Sequence, residues 1–212
     1  MTTVEMWKTR LAFLGHKELL PSVSRWLQPC ISLFLQDEPP ALSNCWSSRM
    51  GGVAYAPQEV MAQIAALPYE TVFVACIALT PVASFLPESS LPKNGWLYFF
   101  REKNGTKGMA FHYAGAVSAE PEGMKVSDPG MELTVGRGYT LSPHMEADTA
   151  ISAIPADVCA DIKAQATCYG MMLLPASDNW QNYILLLSLP GHRFYIEQAQ
   201  LEKQNFSRLF CD

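Results

Sequence analysis

Charge is scarce in this sequence. Charged residues make up 17% of the 212 positions, against about a quarter in an ordinary soluble domain. With 49% hydrophobic residues, that balance excludes a disordered chain, which needs low hydrophobicity and high net charge. A chain of this size buries roughly 70% of its unfolded surface, enough for a core without covalent staples. Runs of Lys or Arg are missing too: 15 basic residues lie scattered among 20 acidic ones, for a net charge of −5. Phosphate neutralisation dominates affinity for nucleic acid, so direct nucleic-acid binding is not expected. A mild acidic excess suits a basic protein partner. No Cys-x-x-Cys occurs among the six cysteines, which removes the usual signatures of tetrahedral zinc and of thioredoxin-type exchange. Reduced, mostly buried thiols are the expectation. The longest apolar run, Val72 to Leu79, falls far short of the ~20 residues that span a bilayer. The first twenty residues contain Glu5 and alternate apolar with charged side chains, without the apolar stretch of a signal peptide. A cytoplasmic protein of one domain, 1–212, with no cofactor and no membrane contact, is expected.

The order of elements predicts an α+β fold: an N-terminal helical pair on a largely antiparallel sheet. Thr2-x-x-Glu5 fits a capping box, and Pro21 ends the first helix or restarts the chain. Val23, Trp26, Leu27, Ile31 and Phe34 follow helical spacing up to Asp37-Glu38-Pro39-Pro40, so residues 1–40 read as two helices and 45–210 as a β-rich body. Val72 to Leu79 reads as a buried strand and residues 81–92 as a Pro- and Ser-rich loop. Trp96 to Phe100 is an aromatic strand. Asn104-Gly105 is a strong hairpin signal, because both residues tolerate positive φ; it pairs residues 96–102 with Met109 to Tyr113. Residues 115–131 read as a loop, Glu132 to Leu141 as a strand, Pro155 to Ala166 as a helix, and Tyr183 to Leu189 and Phe194 to Ile196 as strands. An apolar strand, a Pro/Gly turn and an aromatic strand occur twice, at 72–100 and 183–196. This suggests a duplicated unit, with chance likeness of two hydrophobic hairpins as the alternative.

Several segments resemble the YwqG-like family, a bacterial domain of unknown function. The resemblance is carried by Ser48-Arg49-Met50-Gly51-Gly52 with Pro57, by Val72 to Ile77, and above all by Leu91-Pro92-Lys93-Asn94-Gly95-Trp96-Leu97-Tyr98-Phe99-Phe100. Tyr169-Gly170 with Pro175, Tyr183 to Leu187, Gly191, Phe194 to Ile196 and Asn205-Phe206-Ser207 continue it. It covers roughly residues 45–210 and implies a β-rich, duplicated fold. Cys76 and Ser188 stand where the family usually has Gln, and the family's Trp-Pro after Gly-Gly is missing. Framework positions match while polar ones differ, which puts a shared ligand pocket in doubt.

Chemical motifs are sparse. His144-x-Glu146 with Pro155 and Cys159 lacks the Pro-Cys-x-x-Cys that a zinc deaminase needs. Gly136-Arg137-Gly138 lies in a strand-like stretch, where a bulge or close backbone approach is expected rather than a phosphate cradle; Gly51-Gly52 reads as a turn. His112 could serve as a general base, yet the sequence places no carboxylate or nucleophile beside it. Trp96 and Tyr98 alternate on one face of an aromatic strand, as core or as a binding platform. Trp180 stands in a polar loop as a candidate anchor, since interface hot spots favour Trp, Tyr and Arg. Arg49, Trp96, Tyr98, His112 and Trp180 are therefore the candidate contact residues. The function expected is non-enzymatic: binding of a protein partner, most concretely a toxin delivered between bacteria (a nuclease effector among the options) that this chain would neutralise as an immunity protein. Binding of a small ligand in a cleft between two half-sheets, and hydrolysis, are the alternatives.

Overall fold

The computed structural model describes residues 3–36, 47–115, 128, 130–141, 154, 156, 160, 171–173 and 182–212. Helix α1 (Thr3–Phe13) is followed by a 3-10 turn (Lys17–Leu19) and α2 (Leu20–Trp26). Trp7, Leu11, Leu19, Val23 and Trp26 interlock into a small apolar cluster with Leu27 and Ile154. The second helix stops earlier than its spacing predicts: Leu27–Leu35 is strand β1, not helix. Pro29 is the local reason, since a proline inside a helix removes one hydrogen bond and clashes with the preceding turn. The tertiary reason is a nine-residue antiparallel ladder between β1 and strand β6 (Met131–Leu141). The capping-box Thr2, most of the helix expected from Pro155 (of which Ala156 and Ala160 are described, both helical) and most of the 115–131 loop lie outside the described residues.

The remaining strands are β2 (Arg49–Met50), β3 (Thr71–Ala78), β4 (Trp96–Glu102), β5 (Lys107–Tyr113), β7 (Met172–Leu173), β8 (Tyr183–Leu189), β9 (His192–Glu197) and β10 (Leu209–Cys211). They close into a barrel in the order β1-β6-β2-β3-β4-β5-β10-β9-β8-β7, with β7 returning to β1. Among the described residues every pairing is antiparallel. The α+β expectation holds, with the sheet curled until it meets itself, β7 closing on β1.

The duplication is visible in that order. Exchanging β1–β5 with β6–β10 maps the ring onto itself, each half lending its first strand to the other. The registers agree as well. Cys76 pairs with Arg49 and Tyr98, and Ser188 pairs with Met172 and Arg193. Val74 is skipped by the ladder between Phe73 and Ala75, and Leu186 between Leu185 and Leu187. Directly after each irregularity Ala75 faces Phe99 and Leu187 faces Phe194, and these two equivalent rings pack on each other with centroids 5.3 Å apart. Chance likeness of two hairpins would not reproduce both registers.

Strand alternation sends one set of side chains inward. Ile31, Leu33, Ala75, Ile77, Leu97, Phe99, Ala110, Leu133, Leu187, Leu189, Phe194 and Ile196 form one continuous buried core. Residues 81–85, expected as the start of a loop, and Leu79, expected as the end of a strand, belong to helix α4 (Leu79–Phe85), with Pro81 in the first turn, where a missing N–H costs nothing. Its Leu79 and Val82, with Leu86 beyond it, join the same core. The β4–β5 hairpin forms in the expected register, but through a four-residue connection (103–106) in which neither Asn104 nor Gly105 takes positive φ. The Gly51-Gly52 turn is a clasp. Both residues have positive φ, the Val53 amide donates to the Asp128 carbonyl at 3.0 Å, and a Cβ on Gly52 would collide with the Gly130 nitrogen and lie 2.6 Å from the Asp128 oxygen. Gly136 and Gly138 sit opposite Ser32 and Cys30 in the β1–β6 ladder, where Gly138 lies against the Ser32 side chain. They are close-approach positions, as the strand reading expects.

Candidate functional site

The outer face of β3, β4 and β5 is roofed by a helix that lies between Pro57 and Ala66, α3 (Gln58–Ala65). Beneath it a second apolar cluster joins Val60, Cys76, Tyr98, Phe100 and Met109. The roof is narrow, since α3 buries only Val60 fully. Tyr69, Phe73, Trp96, Phe111 and Tyr113 are therefore left half-buried around it. Phe100 takes Phe73 and Phe111 in edge-on contacts at 5.4 and 5.9 Å, Trp96 lies 6.4 Å from Tyr113, and the Lys107 ammonium sits 5.1 Å over the Tyr69 ring. Met61, on α3, and Val53, next in sequence to the Ala54 that packs on this cluster, are each 42% exposed. The result is an aromatic band around α3.

Arg49 anchors one end of this face from β2. It is 1% exposed, with its guanidinium 4.2 Å over the Tyr55 ring and 5.8 Å from the Phe73 ring, and it donates to the Tyr55 carbonyl at 3.3 Å. A stacked, weakly hydrated guanidinium tolerates such a site far better than an ammonium. The β2–β3–β4 register lines up Arg49, Cys76 and Tyr98 in one row. Burial pushes the Cys76 thiol up to about 12, against the pull of the Arg49 charge and the Tyr98 hydroxyl. Burial likewise raises Tyr98 above the ordinary phenol range, with Cys76 adding to the rise and Arg49 opposing it. A neutral thiol and a neutral phenol at this depth are poor nucleophiles.

Three of the candidate residues, Arg49, Trp96 and Tyr98, thus share one face. His112 does not join them. It pairs with Leu97 on the opposite side of the sheet and donates from Nε2 to the Asn94 carbonyl at 3.0 Å. Trp180 lies outside the described residues, as do His144, Glu146 and Cys159. The 91–100 motif proves to be framework: Leu91, Leu97 and Phe99 enter the core, while Gly95 has φ +84 and a Cβ there would stand 2.9 Å from the Ala114 Cα. Sequence reading missed α3, although Val60, Ile64 and Leu67 recur at helical spacing behind Pro57.

In the second half, Ser188, Arg193 and Asp212 are the equivalents of Cys76, Tyr98 and Phe111. Backbone bonds of 3.0 and 3.1 Å join Arg193 and Asp212, and the row lines an open hollow of about 590 Å³ with Pro190, Gly191 and His192. Burial, and then the charge of Arg101, hold His192 below its ordinary range. A second hollow of about 440 Å³ is acidic, with Glu197 and Glu202 beside Tyr183 and Gln198. Among the described residues, no group of three or more His, Cys, Asp or Glu is placed to hold a metal ion, and no helix is long and apolar enough to cross a membrane. The chain matches no protein-family model and none of the curated proteins.

Proposed function

We propose that the chain works by binding another protein through the aromatic face around α3, as an immunity protein that neutralises a toxin delivered between bacteria. The supporting observation is the band of Tyr69, Phe73, Trp96, Phe111 and Tyr113, half-buried around α3, with exposed Met61 on that helix and exposed Val53 on the segment leading to it. Rigid aromatic anchors are the usual composition of an interface hot spot. The filled barrel interior points the same way, because the space between the half-sheets is occupied by apolar side chains from both. A cytoplasmic location and the YwqG-like resemblance belong to this proposal. A basic toxin suits the net charge of −5, and a nuclease effector fits that description.

Val53→Asp with Met61→Asp tests the reading. Both sites are exposed, so the fold should change by less than about 0.5 kcal/mol. The tagged chain, recovered from its native cell, should retain one partner in stoichiometric amount, and co-expression should rescue growth from that partner. The double variant should lose both properties while melting with the parent. Recovery without a stoichiometric partner overturns the proposal, as does full rescue by the variant. A small-ligand reading is favoured by the hollow at Ser188, His192, Arg193 and Asp212. Its mark would be thermal stabilisation by a metabolite in the absence of any protein partner.

A further inference from the structure

The dipeptide Asn-Gly occurs twice, at Asn94-Gly95 and Asn104-Gly105, and the fold treats the two copies differently. Asn94-Gly95 is held from several sides. The Gly95 carbonyl accepts from the Leu79 amide at 2.9 Å, the Asn94 carbonyl accepts from His112 at 3.0 Å, and the backbone of Tyr113 and Ala114 closes on the Gly95 Cα with φ fixed at +84. Asn104-Gly105 sits at the tip of the β4–β5 hairpin, exposed from Lys103 to Lys107. The flanking backbone bonds stop on either side of it: the Lys103 amide donates to the Glu70 carbonyl at 3.0 Å, and the Thr106 carbonyl accepts from Cys211 at 2.8 Å. Within that span the Asn104 side chain can swing toward the following amide, and Gly105 offers no Cβ to block it.

We propose that Asn104, and not Asn94, is a site of spontaneous modification through a cyclic imide. The Gly105 nitrogen attacks the Asn104 side-chain carbonyl carbon, a new C–N bond forms, and the Cγ–Nδ2 bond breaks. Ammonia leaves carrying the Gly105 amide proton. Water then opens the ring at either carbonyl, giving aspartate or isoaspartate, with no oxidant or reductant involved. The product places a new carboxylate beside Glu102, whose side chain already lies against Gly105. The isoaspartate form also adds a backbone methylene to a four-residue turn. Both changes fall on the hairpin that carries Trp96, Phe111 and Tyr113, so the modification would age the aromatic face from its tip.

The test is peptide mapping of the full chain after incubation in mildly alkaline buffer, folded and in denaturing urea. Asn104 should convert at similar rates in both conditions. Asn94 should convert readily in urea and be protected in the folded chain by at least about tenfold, because attack there requires local opening. Asn104→Gln should abolish the isoaspartate signal of the folded protein without moving its thermal midpoint. Equal conversion at the two sites in the folded chain would overturn the inference, as would protection of Asn104 by folding to the same degree as Asn94.

Discussion

Replacing Gly52 by Ala, with Gly51→Ala as its partner, separates backbone strain from backbone collision at one turn. Both glycines have positive φ, +69 and +73, so each alanine carries the left-handed penalty of roughly 1–2 kcal/mol. A Cβ on Gly51 meets nothing within 4 Å, and its cost should stop there. A Cβ on Gly52 runs into the Gly130 nitrogen and the Asp128 carbonyl, which are main-chain atoms and cannot rotate away. The segment entering β6 must shift, and the Val53–Asp128 bond of 3.0 Å is lost for about another 1 kcal/mol. Gly52→Ala should therefore cost about 2–3 kcal/mol, about 1 kcal/mol beyond Gly51→Ala. Urea unfolding, read as a midpoint shift at constant m, measures the difference. Equal costs for the two variants would refute the clasp between β2 and the approach to β6.

Other consequences can be checked with similar means. Arg49→Ala should destabilise by about 2–4 kcal/mol, through loss of stacking on Tyr55 and a buried void, measured by urea denaturation; a neutral result would show that the guanidinium is not packed as described. Cys76 should resist thiol reagents in the folded chain and react at once in urea. Its thiol keeps its proton longer in the fold than in the unfolded chain, so its contribution to stability is intact below about pH 9 and is lost as pH rises toward about 12; Cys76→Ala should flatten that alkaline decline. Phe13, 89% exposed, should accept Ser with a change in stability below about 0.5 kcal/mol.

The sequence showed most of the barrel and little of its closure. β3, β4, β8 and β9 announce themselves because both faces of each are buried, giving continuous runs such as Val72 to Ile77 and Leu185 to Leu189. β1 was hidden: Trp26 and Leu27 continue the helical spacing of α2, and Cys30, Ile31, Ser32 and Leu33 are all buried, so no alternation marks the switch. Only Pro29 did. α4 was masked by Pro81 and Ser84, although Leu79, Val82 and Leu86 repeat on one face. The meeting of Arg49 with Tyr98 depends on a ladder between residues far apart in the chain, and the β5–β10 contact on a longer separation still. Such pairings leave no local trace.

The two halves share a framework and differ on their outer faces, and that difference bears on where the molecule acts. Inward positions correspond closely, Phe99 to Phe194 and Ile77 to Leu189, because both halves fill one core. On the outer row, Cys76, Tyr98 and Phe111 lie under or beside α3, whereas Ser188, Arg193 and Asp212 line an open hollow. Barrel closure demands the first correspondence, since a void there would cost several kcal/mol. It demands nothing of the second, so the outer rows were free to diverge. An apolar aromatic face and a polar hollow are thus two separate surfaces on one duplicated scaffold. Substitutions at Val53 and Met61 should leave any ligand of the hollow unaffected, and substitutions at Ser188 or Arg193 should leave a partner of the aromatic face unaffected. Measured coupling between the two sets would mean that the faces act as one surface.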